Sequence, residues 1–109
     1  MSIELYEFAP TRSQRARWTL LALAVPFESI AGQELIGSDR LRAVHPLAKL
    51  PALKDDGRPL FESAAISTWL ADSHPEKGLI APAGTWERAL HDQWVAFAQT
   101  ELEAHLWST

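Results

Sequence analysis

The sequence predicts an α/β domain built on one mixed sheet with helices on its faces, followed by one long additional helix. Three observations carry this reading. Short apolar runs alternate with segments of helical periodicity between Ile3 and Val44. The segment PALKDDGRPLF then has the form of a hairpin. From Thr85 to Trp107, apolar residues recur at spacings of three and four. Alternation followed by a hairpin implies a sheet with both parallel and antiparallel neighbours.

At the amino end, Ile3, Leu5 and Phe8 frame the stretch IELYEF, with Tyr6 among them. Both faces are therefore partly apolar, as in an inner strand. APTRS breaks the strand, and Ser13 is the expected N-cap of the first helix. Over Gln14–Ala24 the residues Ala16, Leu20, Leu23 and Ala24 fall at helical spacing, with Trp18 and Leu21 widening the stripe. Pro26 ends that helix, and FESI reads as a second short strand. The polar, weakly periodic region Ala31–Ala48 is expected to hold a short or irregular helix around Leu35–Val44.

Asp55, Asp56 and Gly57 supply the turn of the hairpin. Pro59 cannot donate to a ladder, so the second hairpin strand belongs at the sheet edge. ESAAISTWLADSHP predicts a helix with Ile66, Trp69 and Leu70 on one face, capped by Ser63 and stopped before Pro75. EKGLIAPAG reads as a linker. The last helix carries Trp86, Leu90, Trp94, Phe97, Ala98 and Leu102 on a stripe too broad for solvent, so self-association or loose order is expected of it.

Composition bounds the function. At 109 residues, 47% hydrophobic and 22% charged, the chain is globular and of single-domain size. The longest nearly apolar run, Trp18–Val25, is too short to cross a bilayer. No secretory signal is read at the amino end, so the expected compartment is the cytoplasm. A net charge of −4 argues against a nucleic-acid face. With no cysteine in the chain, disulfides, thiolate metal sites and protein-thiol chemistry are excluded. Glu101 and His105 stand one helical turn apart, too few for a metal site, and no metal is expected. Arg12, Arg15 and Arg17 cluster near the first helix start, either as a solvated helix end or facing an anion.

The segments KLPAL, DDG and LFESAAISTWLAD, in this order, resemble the amino-terminal domain of glutathione transferases. LYEFAPTRSQRARWTLLAL resembles that family's first strand and helix. TWERALHDQWVAFAQTELEAHLW resembles the opening helix of its all-helical second domain. The resemblance implies a thioredoxin-like, mixed four-stranded sheet over residues 1–78, a linker over 79–84, and an incomplete helical domain over 85–109. It covers roughly half of a whole family member.

The resemblance also implies a site for glutathione as co-substrate. Free N–H groups and the positive dipole end at a helix start bind carboxylates, and Ser63 adds a hydroxyl there while Glu62 can pair with an amine. Glu62 and Ser63 are therefore expected to hold the γ-glutamyl end. Pro51 is expected in the cis form, with the Leu50 backbone meeting the cysteinyl part and Lys49 meeting the glycine carboxylate. Family members activate the thiol with a hydroxyl or thiol near the first helix start. The candidates here are Thr11 first, Ser13 second and Tyr6 third. Threonine at the serine position departs from the family pattern, and the absence of a cysteine at Pro10 disfavours glutaredoxin-like chemistry. His45 is assigned no role. The implied function is conjugation of glutathione to an unidentified electrophile by a homodimer. A non-catalytic dimerisation or docking module and a factor with a vestigial site are the alternatives.

Overall fold

The computed structural model describes residues 2–107, save the side chain of Trp107. Four strands form one sheet: β1 (Ile3–Glu7), β2 (Glu28–Ala31), β3 (Ala52–Asp55) and β4 (Arg58–Phe61). Their spatial order is β2-β1-β3-β4. β1 runs parallel to β2 and antiparallel to β3, and β3 runs antiparallel to β4. The sheet is thus mixed, as the alternation and the hairpin predicted. Between the strands lie α1 (Ser13–Leu23), a 3-10 turn (Gln33–Leu35) and α2 (Asp39–Arg42). After the sheet come α3 (Ser63–Ser73), a second 3-10 turn (Pro75–Lys77), α4 (Trp86–Phe97), a wide π-type turn (Ala98–Glu103) and α5 (Ala104–Trp107).

The period-two alternation of β1 divides two cores. Ile3 and Leu5 face α1 and α3, where Ala16, Leu20, Leu23, Leu53, Ile66 and Leu70 close the main core. Tyr6 faces the other way and packs with Leu35, Leu41, Val44 and Ala52. β1 therefore needs apolar residues on both faces, and IELYE supplies them. At the hairpin, Asp56 and Gly57 both take positive φ (52° and 79°), the geometry of a tight two-residue turn. Pro59 lies opposite Lys54 on the edge strand β4, where its missing N–H costs no ladder bond.

Three local expectations need correction. Ser13 is the first helical residue of α1 and not its cap; Arg12 occupies the cap position but makes no side-chain capping bond. Ser63 likewise begins α3, with Glu62 in the cap position. Trp69 does not share the buried face of Ile66 and Leu70. Its ring is 40% exposed, and its indole N–H donates to the buried Asp55 carboxylate at 2.8 Å. An indole satisfies the helical period while keeping its polar edge for a partner. The short or irregular helix expected around Leu35–Val44 is present as the 3-10 turn and the single-turn α2, which the Ser38 hydroxyl caps.

The chain from Trp86 to Trp107 is helical throughout. Thr85 caps its start by accepting from the Arg88 N–H at 3.2 Å. Every residue of α4 is at least partly exposed, and Trp86, Trp94 and Leu102 are 74%, 59% and 56% exposed. Arg88 ties this helix to α3 and the linker through Asp72 at 2.8 Å and the Ala81 carbonyl at 3.1 Å. Among the described residues no helix is long and apolar enough to cross a membrane.

The core assignment predicts a sharp contrast between neighbours. Leu20 is wholly buried and Leu21 is 59% exposed. Leu20→Ala should lower unfolding free energy by about 2–5 kcal/mol, and Leu21→Ala by about 0.5 kcal/mol or less. Urea titrations of the two variants measure this, and equal midpoints would contradict the packing described.

Candidate functional site

The site is organised by the loop that leaves β1. The Ser13 hydroxyl, 1% exposed as a residue, accepts from the Phe8 N–H at 3.1 Å and lies 3.2 Å from the Phe8 carbonyl. This folds residues 8–13 into a tight loop that joins the end of β1 to the start of α1. Thr11 lies in this loop, partly buried. Its hydroxyl oxygen lies 2.5 Å from both the Phe8 carbonyl and the Ser13 hydroxyl, and accepts from the Ser13 N–H at 3.1 Å.

Two adjoining clefts flank this helix start. One, of about 580 Å³, is lined by Thr11, Arg12 and Arg15 on one side and by Ile36, Lys49 and Leu50 on the other. The second, of about 350 Å³, shares Arg12 and Arg15 and is otherwise lined by Glu62, Ser63, Gln99 and Glu103. Thr11, Lys49, Leu50, Glu62 and Ser63 are thus brought together from three separate stretches of sequence. Pro51 is buried behind Leu50, and the Leu50–Pro51 bond is cis, as expected. The Ala9–Pro10 bond is also cis, which no sequence feature announced. Of the other two thiol-activating candidates, Ser13 lies beneath the loop and Tyr6 packs in the second core.

Glu62 connects β4 to α3 with φ 79° and ψ 117°, a conformation that favours glycine. Its carbonyl accepts from the Ile66 N–H at 2.9 Å, which starts the helix, and its side chain projects into the open. Ser63 comes next, 6% exposed, with its hydroxyl 3.5 Å from the Arg15 guanidinium.

Sequence reasoning missed Glu103. Its carboxylate pairs with Arg12 and takes Arg15 with two bonds of 3.1 and 3.2 Å. The bond from Arg15, then that from Arg12, holds the Glu103 carboxyl below its ordinary range despite partial burial. These partners lie 88 and 91 residues apart in sequence, so no local pattern could have joined them. The arginine cluster is therefore divided. Arg17 turns away and pairs with the buried Glu7 at 2.8 Å.

His45 supports the far side of the site. It is 5% exposed, its ring lies 4.4 Å from that of Phe61, and its Nδ1 accepts from the Leu47 N–H at 3.0 Å. That bond puts the ring proton on Nε2 in the neutral form. Burial pushes its pKa below 6.5; Lys49 adds to the effect and Glu62 opposes it. Among the described residues no cluster of three or more ligating side chains could hold a metal ion, and His105 and Glu101 form an exposed pair at 3.9 Å.

With this geometry in view, residues 5–78 match the family model described as the glutathione S-transferase N-terminal domain, and the chain belongs to that family. The sheet and its flanking helices are accordingly thioredoxin-like. The chain is 39% identical over 71 residues to the glutathione S-transferase GstA of Escherichia coli O157:H7, covering 64% of this chain and 35% of that protein. It is 38% identical over 94 residues to a probable glutathione S-transferase, BZ2, of Zea mays, covering 76% and 39%. Among solved structures it resembles a glutathione transferase from Methylococcus capsulatus with a TM-score of 0.82 and 33% identity, covering 92% of this chain and 52% of that one. The chain thus spans about half the length of that structure and little over a third of these curated relatives.

The state of His45 makes stability depend on pH. A base whose folded pKa lies below its unfolded value of 6.5 binds fewer protons folded than unfolded as pH falls through that window. Its contribution is complete above pH 6.5 and is lost toward the folded pKa. The urea midpoint should fall between about pH 7 and pH 5, and His45→Gln should flatten that part of the profile. A profile unchanged by the substitution would contradict a buried neutral ring.

Proposed function

We propose that the two clefts bind glutathione as co-substrate and that the protein activates its thiol for conjugation to an electrophile. The reading is supported above all by one observation: Thr11, Lys49, Leu50, Glu62 and Ser63 line clefts that meet at Arg12 and Arg15. Glutathione is extended and carries a carboxylate at each end, with an ammonium beside one of them. The first-turn N–H groups of α3 and the Ser63 hydroxyl suit the γ-glutamyl carboxylate, and the exposed Glu62 side chain suits the ammonium. Lys49 suits the glycine carboxylate, and the Leu50 backbone suits the cysteinyl amide.

The thiol would then lie near Thr11 and the start of α1. A hydroxyl donated to the sulfur and the positive end of an eleven-residue helix both favour thiolate over thiol. The thiolate attacks the electrophilic carbon, an S–C bond forms, and any leaving group departs with the electron pair. Thr11 must turn to do this, because its hydroxyl already has the Phe8 carbonyl and the Ser13 hydroxyl within 2.5 Å. That engagement favours a second reading, in which the fold serves as a non-catalytic dimerisation or docking module. The exposed stripe of α4 is compatible with both readings, since a homodimer belongs to the first and dimerisation or docking to the second. The cytoplasm is the proposed compartment.

Two substitutions test the reading. Charge-assisted hydrogen bonds are worth about 1.5–3 kcal/mol, and about 1.4 kcal/mol is tenfold in affinity. Ser63→Ala should therefore weaken glutathione binding roughly tenfold or more by calorimetry, with the thermal midpoint little changed. Unaltered affinity would reduce Ser63 to a structural residue.

Thr11→Ala should leave glutathione affinity nearly intact while slowing conjugation to a general aryl halide in a protein containing the complete second domain. Activity surviving Thr11→Ala but lost in Ser13→Ala would transfer the role to Ser13. Glutathione binding with no turnover in that protein before substitution would favour the docking module.

A further inference from the structure

Arg15 and Glu103 pair on the wall of the pocket that Ser63 also lines. Arg15 Nη1 lies 3.5 Å from the Ser63 hydroxyl and 3.1 Å from one oxygen of Glu103, while Nη2 lies 3.2 Å from the other. A carboxylate accepting from Ser63 would therefore lie within reach of the same guanidinium. Arg15 presents a planar fork suited to one carboxylate at a time, and Glu103 fills it.

We infer that Glu103 is an internal substitute for the ligand's α-carboxylate, and that γ-glutamyl binding exchanges Glu103 for the ligand on Arg15. This rests on the glutathione reading above and extends it to the residues that control entry. The exchange balances in charge. Before it, Glu103 is shared by Arg12 and Arg15. After it, the ligand carboxylate takes Arg15 and Glu103 keeps Arg12, so neither carboxylate is left unpaired. Glu62, on the same cleft, then receives the ligand ammonium, while Glu103 stays with Arg12. The arrangement selects an α-amino-acid end and not a simple anion, because an anion without the ammonium must displace Glu103 and gains nothing from Glu62.

Glu103 is able to shift. It lies at the end of the wide π-type turn, on a helix whose α4 segment buries none of its side chains fully. Its side chain is 18% exposed and that of Arg15 is 48% exposed, so water can take part in the exchange.

Calorimetry on the 109-residue chain with S-methylglutathione, which cannot react, tests the inference. Removing the competing charge with Glu103→Gln should tighten binding about two- to fivefold, the range expected of a partly exposed ion pair. S-methylcysteinylglycine, which lacks the γ-glutamyl group, should bind both chains equally. Arg15→Gln should weaken S-methylglutathione binding, and adding Glu103→Gln to it should restore nothing. If Glu103→Gln leaves affinity unchanged or weakens it, the pair is only a tie between the last helix and α1, and the inference is overturned. If neither the native chain nor Glu103→Gln binds S-methylglutathione at millimolar concentration, the glutathione reading falls and the latch with it. Binding by Glu103→Gln alone would support the latch most strongly.

Discussion

The hydroxyl of Ser13 and the Phe8 backbone together set where everything else in the site can stand. The Phe8 N–H has the Ser13 oxygen as its partner at 3.1 Å, in a place nearly closed to water. A buried amide left without a partner costs about 1–3 kcal/mol, so the loop geometry is strongly specified. Because the loop is short, α1 must start within a few residues of the end of β1. Ala16, Leu20 and Leu23 then turn inward onto the sheet, while Arg12 and Arg15 turn toward the clefts. The same bond hides Ser13 and leaves Thr11 partly exposed on the larger cleft. Burial of one hydroxyl thus determines which hydroxyl a ligand can meet.

Glu62 marks a second constraint, of the opposite sign. Its backbone at φ 79° is strained for any residue with a Cβ, at a cost of about 1–3 kcal/mol. Glycine would sit there without that penalty, yet the chain carries a glutamate with an exposed side chain. The strain is sustained by the helix behind it: Ile66 and Leu70 are fully buried and anchor α3 against the sheet, which fixes the direction of its first turn. A helix held at its middle can tolerate an unfavourable entry. The local conflict falls at the point where the helix start and a carboxylate face the cleft together, which is where strain is expected to serve a ligand.

Much of the sheet was legible because its rules are local. The two-faced apolarity of IELYE, the Asp56–Gly57 turn and Pro59 on an edge each depend on a few adjacent residues. The serines were misassigned as caps for a reason of the same scale. A hydroxyl one residue inside a helix and one just before it leave the same mark in sequence, and for Ser13 the bond from the Phe8 N–H, five residues back, decides between them. Trp69 was misplaced because periodicity cannot see the Asp55 carboxylate that draws its ring outward. The candidate site was legible only through resemblance, since KLPAL and FES do not by themselves say that they meet. Glu103 escaped both routes, being joined to Arg12 and Arg15 by folding alone.

The last helix is attached in an unusual balance. Its polar side makes the ties, through Arg88 to Asp72 near one end and Glu103 to the two arginines near the other. Its apolar residues Trp86, Trp94 and Leu102 remain largely exposed, and a hollow of about 230 Å³ lies between α3, Trp18 of α1 and Val95. Ion pairs at partly exposed positions contribute about 0–1 kcal/mol each, whereas burying a large apolar side chain contributes about 1.5–3 kcal/mol. The ties therefore fix the helix in direction more than in energy. Any apolar surface that covers the stripe acts on the same continuous helix that carries Glu103. Packing there and ion pairing at the cleft are consequently linked: the more firmly the stripe is covered, the more the position of Glu103 is dictated from outside this domain.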